Sequence, residues 1–165
     1  MAVAQDDFKQ YRDNAYEGQI ANIELCKIKS RTVETAAIKP GRAVVNGTAA
    51  RSCAGVGGST TAAQIIGISV RSMAVENNAA GSDEYGVGDV ASIMEDGKIF
   101  AKCVGGAAKG ATVYVVINVA GGDELGQLRG TADSTNTIQL NQAKWTEAVA
   151  AGDIGEISLH GILTA

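Results

Sequence analysis

Hydrophobic and polar residues alternate over short stretches along most of this 165-residue chain. In IELCKIKSR, Lys27, Lys29 and Arg31 fall on one side and Cys26 and Ile28 on the other, the two-residue period of a strand. GRAVVNGTAARSC reads as two short strands joined at Asn46-Gly47, a strong hairpin signal. QIIGISVRS is a mostly apolar strand in which Gly67 marks a bulge or a close backbone approach. In YGVGDVASIMEDGKIFAKCVGG, Val90, Ser92 and Met94 alternate with Ala91, Ile93 and Glu95. Asp96-Gly97 then predicts a tight type I′ turn, with a second strand through Ile99 and Phe100. GATVYVVINV is strongly β-prone, with Val113, Val115 and Ile117 on one face. GQLRGTA and NTIQL add two short strands, and GEISLHGILTA closes with Ile157 and Leu159 inward and Ser158 and His160 outward.

One stretch departs from this period. In NQAKWTEAVAAGD, Trp145, Ala148 and Val149 fall at i, i+3 and i+4 before Gly152, which predicts a short helix near residues 143–151. The fold class expected is mainly β: a compact β-barrel or jelly-roll-like sandwich with that one helix and an extended N-terminal arm. Residues 1–19 form the arm and residues 20–165 a single β domain, a size at which no disulfide or metal is needed for stability.

The arm, MAVAQDDFKQYRDNAYEGQ, has no sustained period but holds three of the seven aromatics, Phe8, Tyr11 and Tyr16. It has too little apolar area to fold alone. Two readings stand: each ring fills a pocket on a neighbour, or the segment packs loosely on its own domain.

Composition changes the picture in three places. Aromatics are only 4% against 45% hydrophobic residues, so the core is assembled from many small side chains, and Gly 21 with Pro 1 indicates turns and bulges. The net charge of −4 argues against nucleic acid as a partner. The charge is uneven, however, with 8 Lys/Arg against 6 Asp/Glu in residues 1–55 and 6 against 12 in residues 56–165. Cys26, Cys53 and Cys103 are odd in number and widely spaced, as free buried thiols of a reducing compartment would be. Neither a signal-peptide pattern nor a membrane-length apolar run occurs, so folding in a cytoplasm and no membrane contact are expected.

Catalytic chemistry finds little support. His160 is the single histidine, on a strand's polar side. Zinc ligands normally come in close pairs, which three scattered cysteines and one histidine do not supply. GVGGST and GGAAKGAT lack the residues of a dinucleotide or phosphate loop, and no G-x-S-x-G occurs. The acid pairs Asp83-Glu84, Glu95-Asp96 and Asp123-Glu124 all fall at expected turns, where acidic residues are ordinary, and Asp83 and Glu84 need no partner beyond water. The expectation is a protein that is not an enzyme, with no cofactor and no metal.

Several stretches, taken in order, resemble the structural cement or head decoration proteins of tailed bacteriophages. AYEGQIAN follows the arm, GRAVVNGTAAR leads into a polar loop, and IIGISVRS precedes YGVGDVASIMEDGKIFAKC. GATVYVVIN comes next, and AKWTEAVAAGDIGEISL resembles the family's turn into the last strand. The resemblance covers about Tyr16 to Leu163. It implies a capsid decoration protein on the outer surface of the virion head, bridging major capsid protein subunits as a homodimer or homotrimer. It brings no catalytic residues. The candidate contacts with the capsid or a sister subunit are Phe8, Tyr11, Tyr16, Lys27, Lys29 and Arg31. The rival reading from another class is a receptor- or carbohydrate-binding virion module of the fibre-tip type.

Overall fold

The described residues form nine strands, and the fifth of them organises the rest. The structure, a computed structural model, describes residues 15–22, 24–72, 83–119 and 121–160. The strands are β1 (Lys27–Val33), β2 (Ala43–Asn46), β3 (Ser52–Gly55), β4 (Ile65–Ser69) and β5 (Val90–Lys102). They continue with β6 (Thr112–Val116), β7 (Leu128–Arg129), β8 (Thr137–Trp145) and β9 (Ile154–Leu159). A single 3₁₀ turn, Ala62–Gln64, is the one helical element among the described residues.

The order β1-β3-β2-β4-β5, with β5 pairing back onto β1, closes a five-stranded barrel. The second half of β5 starts another sheet, β5-β9-β8-β6-β7. That sheet curls until β7 returns to the chain just past β5, where Cys103 bridges Leu128. Closure removes most free strand edges. One long strand is thus a wall of both halves. Its side chains divide accordingly: Ala91 and Ile93 enter a small core with Val33, Val44, Cys53 and Tyr85. Met94, Ile99 and Ala101 enter a larger core with Ile68, Val113, Leu128, Trp145 and Ile157.

This arrangement corrects two expectations. Asp96-Gly97 is not a hairpin turn, because β5 runs straight through it for 13 residues. Gly97, at φ 125, pairs with Leu159, and a Cβ there would lie 2.8 Å from that of Cys26. Glycine is needed where the strand passes from one sheet to the other, not for chain reversal. The helix near residues 143–151 is also absent. Ala143 and Trp145 pair with Leu159 and Ile157 in the sheet, and Val149 exchanges both backbone hydrogen bonds with Ala107. Sheet partners satisfy the amides that a helix would have used internally.

Two other expectations hold, and two hold only in part. The Asn46-Gly47 hairpin joins β2 to β3, with Val45 opposite Ala54, although its loop runs on to Arg51. Gly67 lies at both a register shift in the β2–β4 pair and a close approach to β5. Ser158, expected outward, is only 7% exposed. Cys53 and Cys103 are buried free thiols, whereas Cys26 is exposed.

The described end of the arm is tied to the domain. The Gly18 amide donates to the Phe100 carbonyl, the Phe100 amide to the Gln19 carbonyl, and the Arg71 amide to the Gly18 carbonyl.

Candidate functional site

The basic row of β1 turns toward the barrel, not away from it. In an antiparallel pair, directly opposed residues share a face. Lys29 opposes Ile93 and Arg31 opposes Ala91, and both partners are fully buried. The row therefore lines the inner side at the barrel's mouth. Between Lys27 and Ile28 the register with β5 shifts, which leaves Glu95 as the extra residue of a bulge. Bulges re-aim side chains. The Glu95 carboxylate is 2% exposed, with Lys29 Nζ 2.7 Å from Oε1 and Lys27 Nζ 3.3 Å from Oε2.

The two lysines still reach solvent, at 56% and 39% exposure, while Arg31 runs deeper. Burial raises the Cys53 thiol above its ordinary value, and the Arg31 charge pulls against that rise. Three cations against Glu95 and, across the strand pair from Lys27, Asp96 leave the row with one positive charge in excess. Glu95, expected at a turn, is instead buried within β5. One signal was legible: Glu95 shares a parity with Ala91 and Ile93, so a charge on their apolar side required cations.

A second charged cluster holds the root of the arm. Arg42 is 7% exposed and is clasped by Glu17 on one side and Glu124 on the other, with Arg42 Nη2 2.8 Å from Glu124 Oε2. Lys39 Nζ lies 2.8 Å from Glu124 Oε1. Hydrogen bonds from Lys39 and then Arg42 hold the Glu124 carboxyl down at about 2. Beside this cluster a half-open cavity of about 280 Å³ is walled by Ala36, Ile38, Val56 and Leu125. Of the arm aromatics, Phe8 and Tyr11 lie outside the described residues. Tyr16 is 50% exposed, with the Arg71 guanidinium 5.6 Å from its ring centroid. Tyr16 and the basic row are thus attached to separate parts of the fold, by Arg71 and by Glu95.

Two further acids serve structure. Asp83, expected to need only water, pairs with Arg71 at 3.0 Å. Glu34 braces the β2–β3 loop. The Ser52 hydroxyl, followed by the Thr48 and Ala49 amides, holds its carboxyl down at about 2. Ser158 Oγ lies 2.9 Å from His160 Nε2, with Ser158 set in the sheet between Lys98 and Lys144 and 7% exposed. Among the described residues no three His, Cys, Asp or Glu side chains group as metal ligands.

The family of phage structural cement proteins (E217 gp24/Pam3 gp6) matches residues 4–160. The chain belongs to the structural cement protein family. Its fold is also that of a solved chain described as "The capsid of Myoviridae Phage XM1", at a TM-score of 0.76 and 16% identity over 97% of this chain and 98% of that one. No curated protein matches. Membership makes this cement protein a structural component of the phage capsid, associated with capsid proteins in the virion. A barrel with paired charges and small side chains fits such a part, which works through its surface.

Proposed function

We propose that this cement protein decorates the outer surface of an assembled phage head and bridges neighbouring major capsid subunits, stiffening the shell without catalysing a reaction. The family match over residues 4–160 carries the reading. The chain folds in the host cytoplasm and acts as a small homo-oligomer. Each modest contact is then reinforced by the high effective concentration of its neighbours on the shell. The arm, through Phe8, Tyr11 and Tyr16, and the basic mouth, through Lys27, Lys29 and Arg31, form the contacts with the capsid or a sister subunit.

The test is co-sedimentation of purified protein with heads lacking it, with a glycan array in parallel. Saturable binding to heads and heat resistance of the decorated shell are expected. Glycan binding without head binding would support the receptor-binding reading instead. The arm's share is measured by deleting residues 1–14, which spares Glu17 and its ion pair with Arg42. The truncated domain is expected to fold and to bind heads more weakly; equal binding would remove Phe8 and Tyr11 from the contact.

A further inference from the structure

Among the described residues β1 keeps one open edge. It pairs with β5 along Lys27–Thr32, but with β3 only at Thr32 and Val33. The Val33 amide donates to Asp89 beside β5, and the Thr32 amide donates to Arg51 on the other side. Alternation along a strand then directs the amides and carbonyls of Ile28 and Ser30 away from β5. Among the described residues no strand meets them there, and both residues are exposed. The apolar side chains around this edge are uncovered as well: Leu25 is fully exposed, and Ile28 is 37% exposed.

We propose that this edge accepts an extended, acid-bearing segment of a neighbouring capsid chain as an added β-strand. The inference deepens the decoration reading and rests on it. Main-chain hydrogen bonds to Ile28 and Ser30 supply affinity, and side chains on alternate faces supply selection. On one face the incoming strand meets Lys27, Lys29 and Arg31, whose charge is only partly offset by Glu95 and by Asp96 opposite Lys27. Carboxylates at alternate positions match it. On the other face it meets Ile28, where an apolar residue is favoured.

A second copy of β1 does not fit. Two-fold antiparallel pairing centred on Lys29 or Ser30 sets odd-numbered residues against odd-numbered ones. Lys29 then faces Lys29 or Arg31, and like charges directly opposed destabilise a sheet pair. The row that rejects an identical strand is the one that admits an acidic strand, which is how charge confers specificity.

Ser30→Pro tests the proposal. It removes the outward amide at an edge position, where proline is tolerated, and leaves the row of cations in place. Co-sedimentation with undecorated heads is compared for the wild type and the variant, alongside thermal unfolding. The expected result is at least a tenfold weaker association with an unchanged melting temperature. Equal affinity overturns the added strand. If the wild type itself fails to bind heads, the decoration reading falls with it, which separates the two failures. Should the variant not fold, hydrogen exchange of the wild-type 27–32 peptide decides. Slowed exchange on heads supports the proposal, and unchanged exchange overturns it. A fall in oligomer mass in the folded variant would also overturn it, in favour of self-pairing.

Discussion

Replacing Gly67 with alanine tests the central packing of the fold. Gly67 lies in β4 against the shared strand, and a Cβ there would stand 2.8 Å from Ile93 Cγ2 and 2.9 Å from the Met94 carbonyl carbon. It would stand closer still to the Met94 carbonyl oxygen. Ordinary contact begins near 3.4 Å, so the overlap exceeds half an ångström against atoms that are mostly backbone. Rotamer changes cannot relieve it, so β4 must move away from β5. Overpacking of a core costs about 1–3 kcal/mol. A backbone clash belongs at the upper end, about 3 kcal/mol. For a domain of this size that corresponds to a drop of roughly 6–12 °C in melting temperature. Gly55→Ala is the matched control, since nothing lies within 4 Å of a Cβ there and the change is expected to be neutral or slightly stabilising. Urea unfolding followed by the fluorescence of Trp145, the single tryptophan, measures both variants. A Gly67→Ala protein within about 1 kcal/mol of the wild type would refute the claimed closeness of β4 to β5.

Three further outcomes are expected. Glu95→Gln leaves Lys27 and Lys29 facing each other without their shared carboxylate. The loss should be about 1–3 kcal/mol in urea titration, below that of a fully buried pair because both lysines reach water; no change would show the contact to be idle. The lowered carboxyls of Glu34 and Glu124, each at about 2, stabilise the folded state fully above their ordinary value of 4.5, and that contribution is lost as pH falls toward 2. Melting temperature should therefore hold from pH 7 to 5 and drop between pH 4.5 and 2, and a flat profile to pH 2 would contradict the assignment. A maleimide should label only Cys26 in the native protein, since Cys53 and Cys103 are buried with raised thiol pKa; native labelling of all three would refute their burial.

Strand period and turn chemistry were legible wherever both partners lie close in sequence. The β2–β3 hairpin at Asn46-Gly47 was readable because its pairing is local. Asp96-Gly97 looked the same but was not. A glycine at positive φ serves a hairpin turn and a passage between sheets equally well, and only distant partners decide. Those partners are β1, about 70 residues before, and β9, about 60 residues after, and no local pattern announces them. Trp145, Ala148 and Val149 fell at helical spacing because a strand end and a bridge happened to bring Trp145 and Val149 into one core. For Lys27, Lys29 and Arg31 the period correctly placed all three on one face. It carried no information on which side of the sheet that face lies, since that depends on pairing with Ala91 and Ile93. The buried Arg42 cluster joins residues 17, 42 and 124, a long-range set with no spacing signature.

The passage of β5 through Asp96-Gly97 bears on how this protein is engineered for display. A foreign epitope is commonly spliced in at what looks like a tight loop, and Asp96-Gly97 invites that choice. An insert there would sever the one strand that, among the described residues, both halves share, and the five-stranded barrel does not close without it. The exposed Gly121-Gly122 pair between β6 and β7, with nothing within 4 Å of either added Cβ, offers a cargo position that leaves every strand whole.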